Sequence, residues 1–66
     1  MIRLRKLNGS NFVLNCELIE TLEHTPDTII TTVSGKKLVV ADTVEEIVEK
    51  VLQYKRNIYI SSFRPD

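Results

Sequence analysis

The 66-residue chain has one cysteine, one histidine, two glycines, two prolines and no tryptophan. A single cysteine excludes an internal disulfide. Cys16 and His24 together fall short of the four Cys or His ligands that a structural zinc site wants. Charge of either sign is not in excess: nine Lys and Arg balance nine Asp and Glu. The chain therefore has no long-range field for phosphate backbones or anionic lipid. No apolar run exceeds Leu38-Val39-Val40-Ala41, far below the ~18 residues that a bilayer span requires. The start of the chain alternates apolar and basic residues, unlike the uninterrupted core of a secretory leader. A cytoplasmic protein is the expectation.

Leu, Ile, Val and Phe supply 23 of the 66 residues, enough to fold. A core of this size rarely supplies more than about 3–5 kcal/mol. With disulfides and a structural metal excluded, self-association is the leading way to stabilise so small a domain and a homo-oligomer is expected, a better-than-average core being the alternative.

The pattern predicts one α+β domain over residues 1–66: a five-stranded antiparallel meander, partly barrel-like, with one C-terminal helix. Ile2 to Leu7 alternates at the period of a half-buried strand, placing Ile2 and Leu4 opposite Arg3 and Arg5. Asn8-Gly9 predicts a tight hairpin of the type in which both central residues have positive φ. A second strand carries Phe12, expected as a principal core filler, and Leu14. A tight turn follows through Asn15, Cys16 and Glu17. Residues 18–25 fit either helix or strand. Strand is favoured because the β-branched run from Thr28 to Val33 needs a partner and Thr25-Pro26-Asp27 supplies the turn. Ser34-Gly35 marks a further turn before a valine-rich strand. Strands are expected at about 2–7, 11–15, 18–24, 28–33 and 37–41.

Thr43-Val44-Glu45-Glu46 has the form of a capping box. Val44, Ile47, Val48, Val51 and Leu52 then recur at helical spacing, predicting a helix over about 44–57 with these five buried. Glu46 and Lys50 form an i, i+4 pair, and Lys55 and Arg56 are expected near the negative end of the helix dipole. An apolar tail, 58–66, carries Ile58, Tyr59, Ile60 and Phe63. It packs either on its own sheet or on a neighbouring copy.

No residue constellation favours catalysis. Cys16 and His24 have no Gly-rich loop or third orienting group beside them, so neither an enzyme nor a cofactor site is expected. Glu17, Glu20, Glu23 and Asp27 read as a solvated strand edge rather than a cation site. Arg3, Arg5, Lys6, Lys36 and Lys37 could form a patch for single-stranded nucleic acid. The four aromatics, Phe12, Tyr54, Tyr59 and Phe63, give no strand the paired stacking platform that such modules use. Nucleic acid is thus the alternative rather than the leading partner.

The order of short segments carries more information than any side-chain cluster. Leu7-Asn8-Gly9, Leu14-Asn15, Glu17-Leu18-Ile19-Glu20, Thr25-Pro26-Asp27-Thr28, Gly35-Lys36-Lys37, Val39-Val40, Val44-Glu45-Glu46-Ile47-Val48 and Tyr54-Lys55-Arg56 together resemble the FlbD/SwrD family of small flagellar proteins. The resemblance covers residues 1 to about 58, with Cys16 where the family often has proline. It implies a bacterial protein that supports swarming by raising flagellar motor power through the stator. It implies no enzymatic activity, no cofactor and no small-molecule substrate. The expected partner is a motor- or stator-associated protein at the inner face of the membrane. The family transfers no site residues. On surface reasoning alone, the expected interaction surface comprises Arg3, Arg5, Lys36, Lys37, Lys55, Arg56, Tyr59 and Phe63.

Overall fold

The structure, a computed structural model, describes the backbone of residues 1–62 and the side chains of residues 1–58. It is α+β, with strands β1 (Ile2–Arg5), β2 (Asn11–Leu14), β3 (Ile19–His24), β4 (Thr28–Thr32) and β5 (Lys37–Val40), then one helix, α1 (Val44–Ser62).

The strands do not form one five-stranded meander, and no barrel closes. β1 and β2 make a two-stranded antiparallel sheet, and β3, β4 and β5 a second, three-stranded one in sequence order. The division falls at a 3₁₀ turn, Cys16–Leu18, that separates β2 from β3. Asn15 holds that turn by accepting a hydrogen bond from the Glu17 amide at 3.0 Å through its side-chain oxygen. The two sheets meet where the Ala41 amide donates to the Arg5 carbonyl at 2.7 Å.

Both hairpins with glycine turns solve closure in the same way. In the first, the Gly9 amide donates to the Lys6 carbonyl at 2.9 Å and the Lys6 amide to the Ser10 carbonyl at 2.8 Å. In the second, Gly35 donates to Thr32 and Thr32 to Lys36, each at 2.8 Å. Gly9 and Gly35 have φ of 91° and 89°, and among the described residues no non-glycine residue has positive φ. Each loop is thus a three-residue type I turn closed by a left-handed glycine, not the two-residue turn that Asn8-Gly9 predicts. Asn8 instead accepts from the Ser10 amide at 3.0 Å and from its hydroxyl at 2.7 Å. This longer loop ends β1 at Arg5, short of the expected Leu7. The β3–β4 loop holds a cis Thr25-Pro26 bond.

β3 is a strand, but its facing differs from simple alternation. Ile19 pairs with Thr32 and Thr21 with Thr31, which leaves Glu20 as a bulge. The extra residue brings Ile19 and Leu22, three apart, onto the core side together.

The core is Ile2, Leu4, Cys16, Ile30, Val40 and Ile47, all buried. Phe12 is only half-buried and packs against this cluster rather than filling it. It sits under the Lys6 ammonium, 5.9 Å from ring centroid to Nζ, within cation–π range.

α1 begins with a complete capping box. The Thr43 amide donates to Glu46 Oε1 at 2.8 Å, and the Glu46 amide donates to Thr43 Oγ1 at 3.1 Å. The helix runs to Ser62, past the expected end at 57, so residues 58–62 are helix rather than tail. Lys55 and Arg56 therefore lie well before its last turn, which holds no basic residue. Ile47 is buried and Val44, Val51 and Tyr54 are half-buried, whereas Val48 and Leu52 remain 43% and 52% exposed. Only part of the predicted stripe faces the sheets; the rest is an uncovered flank. Phe63 and the end of the expected tail lie outside the described residues.

Candidate interaction site

Asp42 joins the two sheets to the helix. Its side chain is 2% exposed. Oδ1 accepts from the Arg5 amide at 2.7 Å and Oδ2 from the Lys50 ammonium at 2.7 Å. Lys50 also donates to the Arg3 carbonyl. Burial pushes the Asp42 carboxyl up, but the hydrogen bonds from Lys50 and the Arg5 amide, aided by the Lys50 charge, outweigh it and hold the group below its ordinary value. Lys50 is thus turned away from Glu46, its expected i, i+4 partner, because Glu46 is engaged by Thr43. Bonds from the Thr43 amide and hydroxyl lower the Glu46 carboxyl in turn. Sequence reasoning passed over Asp42. Its only local mark is an acidic residue just ahead of the cap, and its partners lie 37 and 8 positions away.

The expected interaction residues fall on separate surfaces. Arg3 and Arg5 project from β1 into a groove between that strand and α1, shared with Lys50, Gln53, Tyr54 and Asn57. Lys36 and Lys6 rim a groove of about 590 Å³ between the β1–β2 hairpin and β5, floored by Phe12, Leu14 and Leu38. Lys37 is exposed on β5, opposite Thr31 of β4. Lys55 borders a recess of about 260 Å³ between α1 and β3, lined by Cys16, Ile19, Leu22, Val48, Val51 and Leu52. It also pairs loosely with Glu17, at 3.5 Å between two exposed side chains, an ion pair worth little in water. Arg56 is exposed on α1. Tyr59 lies on α1 beyond the described side chains, and Phe63 lies outside the described residues. The cations are thus distributed over different faces rather than gathered into one strip.

Cys16 is buried in its 3₁₀ turn and His24 is exposed at the end of β3, where it borders a different groove. Among the described residues, no group of three or more His, Cys, Asp or Glu converges on a point that could hold a metal ion. No described helix is long and apolar enough to cross a membrane.

These features define a small α+β domain of two antiparallel sheets and a long capped helix, with apolar surface left uncovered beside it. The chain belongs to the FlbD family of flagellar and swarming motility proteins, whose pattern it matches over residues 1–59. Its role is accordingly in flagellar and swarming motility. No curated protein and no solved structure gives a significant match to the chain.

Proposed function

We propose that this protein raises the power of the flagellar motor during swarming, acting without enzymatic activity as a small oligomeric module on the motor or its stator at the inner face of the membrane. Family membership supports the motility half of this reading. The module half is carried by one observation: the helix flank of Val48 and Leu52 is left open beside a recess lined with apolar side chains. In a monomer with so small a core, an uncovered flank forgoes burial worth about 25 cal/mol per Å².

The alternative, a small nucleic-acid-binding module, has no specific observation in its favour. The cations are divided among grooves, and the described aromatics Phe12 and Tyr54 pack on the core.

The test is a strain lacking the protein. Flagella should still assemble while swarming and the torque of single tethered motors both fall. Normal torque in that strain would refute the proposal.

A further inference from the structure

We infer that two copies of this chain pair through an antiparallel contact between their α1 helices, held in register by Glu49 and Arg56. The inference deepens the oligomeric reading above and takes its biological meaning from it.

The seam is written in the helix. Val48, Leu52 and Lys55 follow one another at spacings of four and three, which sets them along one flank. That flank is rotated away from the core-facing line of Ile47, Val51 and Tyr54. Glu49 and Arg56 each stand one residue past a seam position, so both border the seam on the same side. Both are exposed, and neither makes an ion pair within the chain among the described residues.

Symmetry then selects the direction of pairing. A twofold axis perpendicular to the plane of two adjacent helices carries each border onto the same border of the partner and reverses the chain direction. Glu49 of one copy therefore meets the partner's Arg56, and the contact is made twice. A parallel pair would instead set Glu49 level with Glu49 and Arg56 level with Arg56, leaving the charges unmatched. Length agrees with charge. The register that places Glu49 opposite the partner's Arg56 also places Val44 opposite the partner's Ser61, so the charge-matched alignment overlaps Val44–Ser62 almost end to end, about 27 Å. The two Leu52 side chains then meet at the axis, Val48 of each copy lies beside the stem of the partner's Lys55, and the contact closes over the recess beside Lys55. Lys55 is long enough to run its stem along the seam and keep its ammonium in water.

β3 offers a second copy a poorer surface. It is also acidic and at a sheet edge, but its apolar residues Ile19 and Leu22 already pack on their own core and Glu20 bulges from the strand.

The experiment measures mass by sedimentation equilibrium over a dilution series, for the full chain and for Glu49→Arg and Arg56→Glu. Both positions are exposed, and circular dichroism of each variant should show the parental helix content. Each variant alone places like charges at both contacts, and its dimer should dissociate at least roughly tenfold more readily than the parent's. In an equimolar mixture, a pair made of one copy of each variant has opposite charges at both contacts, one in the native sense and one exchanged. The mixture should therefore regain dimers of parental affinity. A parent that stays monomeric at the highest concentration, variants that dimerise like the parent, or a mixture no tighter than its components would each overturn the inference. None of those outcomes bears on swarming, so the motility reading is tested separately by torque.

Discussion

A carboxylate almost fully withdrawn from water keeps its charge only if the protein replaces the lost hydration, and Asp42 receives that replacement from the Lys50 ammonium and the Arg5 amide. Asp42→Ala should cost about 2–3 kcal/mol in urea denaturation. The figure falls below that for breaking a fully buried pair because Lys50 is 38% exposed and can return to water. The sign of the pH dependence follows from the lowered value. A carboxyl depressed in the folded state contributes stability that is complete above its unfolded value and is lost as pH falls through the folded one. The parent should therefore weaken as pH drops below the ordinary carboxylate range. Its advantage over Asp42→Asn should shrink over the same interval, and an advantage that persists undiminished into strong acid would contradict the assignment. Core residues can be ranked in the same way. Ile47 is wholly buried and Phe12 only half so. Ile47→Ala should cost about 3–4 kcal/mol, near the middle of the range for such truncations. Phe12→Ala should cost less, despite the larger side chain removed. The reverse order in chemical denaturation would place Phe12 in the core, as sequence pattern alone suggests.

At the scale of elements, local chemistry determines turns and caps. Thr43→Ala removes the hydroxyl that accepts from the Glu46 amide and should lower stability by about 1 kcal/mol. Gly35→Ala puts a side chain at φ of 89° with no atom nearby to clash. Its cost, about 1–2 kcal/mol, is purely that of left-handed backbone, and Gly35→Asn should recover part of it. Thermal melts of the three variants check both figures. The capping box was legible in the sequence because its bonds span three residues. The glycine turns were legible in place but not in type, since the extra loop residue depends on how the flanking strands pair. Helix length was underestimated because Ile58 and Tyr59 fit both a continued helix and an apolar tail. Three features were not legible: the separation into two sheets, the bulge at Glu20 and the role of Asp42. The role of Asp42 rests on a bond to Arg5, far away in the chain, the bulge on the register of β3 against β4, and the division on where the 3₁₀ turn ends one pairing and begins the next; residue pattern alone reports none of these. The candidate surface fared similarly. Residue type identified the cations, but only the fold shows that Arg3 and Lys36 line different grooves while Glu49 and Arg56 share one border of a helix.

At the scale of the whole molecule, a small buried core, six residues among those described, supports a helix of 19 residues that carries uncovered apolar side chains on one flank. The proposed pairing of copies would relieve that imbalance and turn two small domains into one larger body with repeated surfaces. In such a pair a second copy of every groove would be available to the proposed motor partner, and weak contacts would strengthen by being made twice. Because the matching charges lie in water, association should weaken as salt rises. A dimer indifferent to ionic strength would point to a purely apolar contact.

The most direct measurement of the central claim is motor torque in a strain whose own copy is replaced by Glu49→Arg, by Arg56→Glu, or by both variants expressed together. If the paired form is the working one, each variant alone should leave torque near that of the deletion strain, and co-expression should restore it. Full torque with either single variant, or no recovery with both, would contradict the account.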